Sequence, residues 1–317
     1  MPILNDPVYN SAAPRLNNDY GFPVREDVAF SNANGEIKSG IEKDFRKLIT
    51  PIAARLQRLL EPGETVFWAS KAVPPVGTWE QLTLGWVMYA YFRVALVFTD
   101  RRLLVFGLTS SGKWRGSIKA IRYTQLTSAK ATGWLTQGLK LKIGKKTVLY
   151  GKLGMGNAKK IRNLLPLLMP TTSAAMIADP MAPNQMESLC GRCNHPLTPK
   201  VYTCGNCGLK FKDETTLAVR TLIPGGAYFY TGLTGVGILN GLVECFFLLA
   251  LVTSLLEPST KGANGAAVSG IVIGYFLFLI GLEKLIAYSH AKLFVRQFEP
   301  VNIAETSTPA AMSAMAR

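Results

Sequence analysis

Acidic residues are almost missing from the middle of this chain. Between residues 93 and 162 there is one, Asp100, against sixteen lysines and arginines, so this stretch carries the whole formal net charge of +15. Of the 35 basic and 20 acidic residues in all, nineteen of each sign lie elsewhere and balance. A field of one sign confined to one folded segment belongs on a surface that faces something anionic. Histidine is scarce too, at two residues, and no Ser/His/Asp set, paired carboxylates or phosphate-cradling glycine loop is present. The expectation is a protein that is not an enzyme. Residues 1–18 lack an apolar core of signal-peptide length, so no cleaved export signal is expected. Cysteine is limited to five residues, Cys245 within an apolar run and a tight quartet, Cys190, Cys193, Cys204 and Cys207. Without an export signal, two CxxC pairs point to a metal before disulfides.

At 317 residues, with 48% hydrophobic content and a mean hydropathy of +0.19, the chain has room for two or three domains. Residues 1–40 are polar and aperiodic, and a disordered arm is expected there. Over residues 41–60 the positions Ile41, Phe45, Ile49, Ile52, Leu56 and Leu59 recur at helical spacing, with Pro51 kinking or dividing the helix. The turn Glu61-Pro62-Gly63-Glu64 leads into strand-like segments at residues 65–72, 93–108, 113–123, 139–143 and 147–150. In Leu139-Lys140-Leu141-Lys142-Ile143 the alternation puts both lysines toward solvent. Asn157 is placed to cap a helix over residues 158–169 whose face Ile161, Leu164, Leu165 and Leu168 closes the domain. Helix, many strands, helix is an α+β pattern consistent with a small antiparallel β-barrel plugged by a C-terminal helix.

Leu60-Glu61-Pro62-Gly63-Glu64, then Ala95-Leu96-Val97-Phe98-Thr99-Asp100-Arg101-Arg102-Leu103-Leu104, then the closing amphipathic helix resemble the bacterial PH-like (GRAM-like) domains. The resemblance covers about residues 41–169, and its most distinctive block is the apolar strand followed by Thr-Asp-Arg-Arg-Leu. It implies a seven-stranded barrel with a C-terminal helix and a binding role. PH domains that bind phosphoinositides cluster Lys and Arg around the first two strands, and residues 65–86 here offer only Lys71. The resemblance therefore carries the fold and no headgroup pocket. The candidate anion- and lipid-binding face is instead Arg101, Arg102, Lys113, Arg115, Lys119, Arg122, Lys140, Lys142, Lys145 and Lys146.

After a linker at residues 170–188, Cys190-x2-Cys193, ten residues, then Cys204-x2-Cys207 looks like a zinc ribbon over residues 189–214. Each CxxC turn offers two thiolates to one ion, and Gly191, Gly205 and Gly208 let the backbone bend. Four thiolates suit one structural Zn(2+), with rubredoxin-like iron as the competitor. Four cysteines leave no open coordination position, so the site is expected to be structural, with His195 a bystander. About thirty residues have too little core to fold without such a staple, and metal loss is expected to unfold this domain while leaving the barrel intact.

A membrane hairpin module is expected over residues 219–298, followed by a disordered tail at 299–317. Residues 236–256 are long enough to span a bilayer of about 30 Å. Residues 266–282 are slightly short, with Glu283 and Lys284 snorkelling to extend the span. The loop between them is nearly uncharged, whereas the basic domain precedes the hairpin and Lys284, Lys292 and Arg296 follow. By the positive-inside rule both termini are cytoplasmic. The run from Arg220 to Gly232, with Pro224-Gly225, Tyr228 and Tyr230, resembles the entrance of small two-helix bacterial membrane modules, and the tyrosines suit the headgroup zone. Gly237/Gly241 and Gly270/Gly274 form small-xxx-small faces, for packing within the hairpin or for a homo-oligomer. Glu244 is expected to be a hydrogen-bonded or protonated packing residue near Asn240, with no second acid at its depth.

These features converge on a bacterial cytoplasmic-membrane protein whose basic domain docks on anionic lipid headgroups or an acidic protein partner. The alternative is nucleic-acid binding near the membrane. There Trp114, Tyr123, Trp134 and Tyr150 stack on bases, and Arg192, Lys200, Lys210 and Lys212 of the ribbon add contacts.

Overall fold

The computed structural model describes residues 15–75, 91–132, 137–169, 186–256 and 263–307. The expectations for residues 1–14, Trp134, most of the linker, the loop at 257–262 and the tail beyond 307 lie outside these. The chain forms two compact units. Among the described residues, one runs through Lys210 and takes in the segment from Asn302 onward; the other is Phe211–Val301.

The first unit is α+β. An eight-stranded sheet runs in the order β1 (Leu16–Asn17), β2 (Val24–Arg25), β3 (Val66–Ala72), β4 (Arg93–Thr99), β5 (Arg102–Leu108), β6 (Trp114–Arg122), then two late strands; a separate sheet joins β7 (Leu126–Thr132), β8 (Gln137–Ile143) and β9 (Lys146–Leu153). The late strands are β10 (Glu187–Leu189) and β11 (Pro196–Leu197). Pairing is antiparallel except for Val24 of β2 beside Val66 of β3, which makes the large sheet mixed. Strand β7 is not legible in the sequence because Leu126-Thr127-Ser128-Ala129-Lys130-Ala131-Thr132 has little apolar alternation.

The meander β3–β6 is covered on both faces. Leu96, Phe98, Leu103, Val105 and Ile121 point into one core, which they share with Leu139, Leu141, Ile143 and Tyr150 of the small sheet. Ala95, Val97, Leu104, Phe106, Ile118 and Ala120 point into a second core. Two-sided burial explains why these strands read as continuous apolar runs. The second core is filled by helices: α1 (Glu26–Ala29), α2 (Ser39–Ile49) and α3 (Ala53–Leu59). As expected, Pro51 divides α2 from α3, through a 3-10 turn at Thr50–Ile52. Phe45, Leu48, Ile49, Ile52, Leu56 and Leu59 are all buried there.

The N-terminal arm must be corrected over residues 15–40. Phe22, Val24, Val28 and Phe30 are buried, so this segment supplies core residues. It is held by Lys160 of α4 (Met155–Leu168), whose buried Nζ donates to the carbonyls of Val28, Ala29 and Ser31. Burial draws the Lys160 ammonium down to about 7. The face Ile161, Leu164, Leu165 and Leu168 is buried as expected and fills the first core. The expected cap is not formed: Gly154 is the N-cap, and Asn157 donates to Ser70 Oγ at 3.1 Å. The two sheets meet at one bridge, Val73 with Gly151, and no closed barrel forms among the described residues.

The block Thr-Asp-Arg-Arg-Leu is a buried lock. Asp100 and Arg101 make the β4–β5 turn, and Thr99 Oγ1 donates to Glu64 Oε1 at 2.7 Å. Arg102 Nε and Nη2 donate to the same carboxylate at 3.0 and 2.7 Å, and Nη2 also reaches the Leu59 carbonyl at 2.9 Å. Asp100 Oδ1 accepts the Thr65 amide at 3.0 Å. The Glu61-Pro62-Gly63-Glu64 turn is thus tied to β4 and β5 through charge-assisted bonds.

The second unit is helical: α5 (Glu214–Thr221), α6 (Gly226–Tyr230), α7 (Thr234–Leu256) and α8 (Ala263–Val295). Two helices, Thr234–Leu256 and Gly270–Val295, are long and apolar enough to cross a membrane.

Removing one partner of a buried ion pair leaves an uncompensated charge at a cost of about 3–5 kcal/mol. Arg102→Met is therefore expected to destabilise the first unit by about that amount. Arg101→Met, at an exposed pair, should cost under about 1 kcal/mol. Urea unfolding of the detergent-solubilised chain, followed by tryptophan fluorescence, measures both. For Lys160→Met, which removes the Nζ donor shared by the Val28, Ala29 and Ser31 carbonyls, the same titration should show a loss of about 1–3 kcal/mol.

Candidate functional site

The ten cations expected on one anion-binding face fall into three groups. Arg101, Arg102 and Arg122 are engaged with Glu61: Arg101 Nη1 lies 3.1 Å, Arg102 Nη1 3.4 Å and Arg122 Nη2 3.3 Å from its carboxylate. Burial acts to raise Glu61, but the guanidiniums of Arg102, Arg101 and Arg122 outweigh it and hold the group below its ordinary value. Arg102 is itself buried, so it is withdrawn from the proposed face. Arg115 is buried as well, and burial lowers the half-buried Lys119. Lys113 is exposed on the β5–β6 turn.

The third group makes a surface. Lys140, Lys142, Lys145 and Lys146 are exposed, while Leu139, Leu141 and Ile143 are buried, as the alternation predicts. Gly144 and Lys145 form the two-residue turn to β9, with Gly144 at φ 55°. Strand β7 adds exposed Lys130 directly opposite Lys140. Like charges facing each other across a strand pair are destabilising. From residue 126 to 153 the sequence holds six lysines and no acid. Lys130 escapes a reading of the sequence because its placement depends on recognising β7 as a partner of β8.

Of the described aromatics interleaved with the charges, the two tyrosines are not presented for stacking. Tyr123 and Tyr150 are buried, and Trp114 Nε1 donates to the Ser117 carbonyl at 3.2 Å.

The second site is the cysteine quartet. The four Sγ atoms lie within 4.8 Å of one another and form no disulfide, with Cys190–Cys207 and Cys193–Cys204 at 3.6 Å. Thiolates about 2.3 Å from one ion stand about 3.8 Å apart in a tetrahedron, so the set fits a four-coordinate metal. Each CxxC closes in the same way. The Cys190 amide donates to the His195 carbonyl and the Cys204 amide to the Leu209 carbonyl, both at 2.9 Å. The residue after each pair is left-handed, Asn194 at φ 64° and Gly208 at φ 68°. Of the three glycines, Gly191 and Gly205 open the two CxxC turns and Gly208 alone takes a positive φ. Gly191 serves close approach, since a Cβ there would lie 2.8 Å from the Gly116 carbonyl of β6. The His195 side chain is exposed and outside the cluster.

The quartet is not a free-standing domain. Glu187, Ser188 and Leu189 pair with Ala120, Lys119 and Ile118, extending the large sheet, so Glu187 and Ser188 belong to a strand and not to the expected linker. Arg55 of α3 donates from Nη2 to the Cys190 carbonyl at 3.2 Å and from Nη1 to the Arg192 carbonyl at 3.4 Å. Burial lowers this guanidinium to about 10. Asn194 Nδ2 reaches the Arg58 carbonyl at 2.8 Å. The expected tail also contributes: α9 (Ala304–Ser307) follows Asn302, and Thr306 is buried beside Gly191.

In the second unit Glu244 is not alone at its depth. Asn240 Nδ2 donates to Glu283 Oε1 at 2.7 Å and to Glu244 Oε1, and Lys284 Nζ pairs with Glu244 Oε2. Lys284 turns toward α7 and also donates to the Ile223 carbonyl at 3.2 Å, so it is no snorkelling extension of α8. The tyrosines expected among headgroups are used internally. Tyr228 Oη lies 2.9 Å from His290 Nδ1, and Tyr230 Oη accepts the Asp213 amide at 3.0 Å. Gly237 faces the Phe229 ring and Gly241 faces Pro224. A Cβ added at Gly270 or Gly274 would meet nothing within 4 Å among the described residues.

Elemental analysis of the purified chain should find one metal ion, lost in Cys204→Ser. Because β10 is part of the sheet, metal removal should also weaken hydrogen-exchange protection around Lys119 of β6. Acid should release the ion as protons compete for the thiolates.

No family model, curated protein or solved structure matches this chain.

Proposed function

We propose that this is a non-enzymatic, membrane-anchored binding protein that docks the lysine face of β7–β9 on anionic lipid headgroups. The observation that carries the reading is a solvent-facing sheet surface whose own three strands hold no acid and on which Lys130 and Lys140 stand opposite each other. An anionic partner relieves this repulsion. Each lysine near an anionic bilayer contributes about 1 kcal/mol, so Lys130, Lys140, Lys142, Lys145 and Lys146 together supply on the order of 5 kcal/mol. The spans already hold the chain at the membrane, so the lysines set the orientation of the domain and its response to lipid composition.

A PH-like relationship is supported by the β3–β6 and β7–β9 meanders enclosing one core with α4. The open sheet and the helical second layer are departures from that pattern. Zinc is the ion best suited to four thiolates in a closed structural site. In this reading α7 and α8 cross a bacterial cytoplasmic membrane with both termini on the cytoplasmic side. Burial of Tyr123 and Tyr150 disfavours base stacking, which makes nucleic acid the weaker alternative.

The test uses the full chain in nanodiscs, with a donor fluorophore on Thr147→Cys in a Cys245→Ala background and acceptor-labelled headgroups. Energy transfer should rise when anionic lipid replaces neutral lipid. It should fall when Lys140, Lys142, Lys145 and Lys146 are changed to Gln, or in about 0.5 M salt, where the Debye length shrinks to a few ångströms. Equal transfer on both lipids, or competition by single-stranded RNA in place of anionic vesicles, refutes the lipid assignment.

A further inference from the structure

The elbow joining α5 to α6 presents a surface that no protein group of its unit covers among the described residues. Val219, Leu222, Ile223 and Phe229 are exposed, Leu222 by 77%. Four large apolar side chains on one short elbow form a patch that water disfavours. On α7, Ile238, Leu239 and Leu242, close in sequence to the glycines Gly237 and Gly241 that face the elbow, are also exposed. The elbow therefore packs against a candidate span whose own surface is apolar.

Packing fixes the elbow along that span. Gly225 has φ 65°, and a Cβ there would come within 2.1 Å of the Gly237 carbonyl. A Cβ on Gly237 would lie 2.8 Å from the Phe229 ring, and one on Gly241 would lie 3.5 Å from Pro224. The turn thus lies beside residues 237–241, reaching about 10 Å beyond the start of α7 at 1.5 Å per residue. Lys284 adds a bond to the Ile223 carbonyl from α8.

Non-helical backbone is tolerated at membrane depth only where its polar groups are satisfied by protein. Here they are. The amides of Leu222, Ile223, Gly226 and Phe229 donate to the carbonyls of Val219, Arg220, Ile223 and Gly225 at 2.9–3.2 Å. Thr221 Oγ1 donates to the Leu217 carbonyl, and Tyr228 is paired with His290. Apolar groups face out and polar groups face in, the reverse of a soluble surface. Arg220 is the exposed exception, and its long stem lets the guanidinium rise to the headgroups.

We propose that the α5–α6 elbow is a re-entrant wedge seated in the acyl region of the leaflet that α7 enters first, with lipid chains as its occupant. The proposal rests on the reading of α7 and α8 as spans.

The experiment places an environment-sensitive fluorophore on Leu222→Cys, Val219→Cys, Leu249→Cys or Lys200→Cys of the full, metal-loaded chain in liposomes, in a Cys245→Ala background. The unsubstituted background serves as the blank. Nitroxides at shallow or deep acyl positions and aqueous iodide are the quenchers. At residues 219 and 222 the shallow nitroxide should quench at least about twofold more than iodide, as expected for groups buried about 5–10 Å into the leaflet. Residue 249 should respond to the deep nitroxide and residue 200 to iodide. Quenching of 219 and 222 by iodide as strongly as 200, or by neither quencher, overturns the wedge while 249 still reports a span. A label at 249 open to iodide overturns the membrane reading itself.

Discussion

The β3–β6 meander carries apolar side chains on both faces, and that constraint shapes the rest of the first unit. A sheet with one apolar face can leave the other to water; this one cannot. Leu96, Phe98 and Leu103 need cover on one side, and Val97, Leu104 and Phe106 need it on the other. The small sheet and α4 close the first side, and α1–α3 close the second. The N-terminal segment is drawn into the fold for the same reason: Val24, Ala29 and Phe30 complete a layer that α2 and α3 alone do not fill. Once both faces of the meander are covered, the outer side of β7–β9 is the sheet face left to solvent among the described residues.

Charge distributes itself around that architecture. Cations near β4 and β5 meet Glu61 and Glu64 and become structural, with Arg102 buried in a bidentate pair that holds the β4–β5 turn to the preceding loop. Those on β7–β9 have no acid within their own three strands. A net charge of +15 thus resolves into a part the fold consumes and a part it displays. The displayed part is the one on which the proposed docking rests, since an anionic surface would offset its mutual repulsion.

The other two sites follow the rule that buried polar groups are partnered. The cysteine quartet sits at the end of a sheet strand, with Arg55 and Asn194 binding it to α3, so the thiol cluster and the extension of the sheet are one structural unit. Between α7 and α8, Glu244 and Glu283 share Asn240, and Lys284 balances Glu244. A charge in an apolar hairpin is costly, and a counter-charge on the facing helix reduces that cost.

Local patterns were legible where one periodicity or one spacing decides the outcome. The two CxxC pairs, the division at Pro51, the inward Leu139-Leu141-Ile143 set, the buried face of α4 and the two long apolar helices all read directly from residue order. Each depends on neighbours a few positions apart. What residue order did not reveal depends on partners far along the chain. Arg102 looks like any surface arginine until Glu64 is brought beneath it, and Lys130 gains its meaning only from the strand opposite. The N-terminal arm reads as disordered because its few apolar residues are short of a core, and they become ordered only when the meander offers one. Glu283 looks like an interfacial residue until α8 turns it toward Asn240. Composition and periodicity determined the helices around Pro51, the central apolar strands, the thiol cluster and the two long apolar helices. Only the tertiary structure decided which charges are spent inside and which are shown, because the cost of a buried charge is set by what packs against it and not by its sequence neighbours.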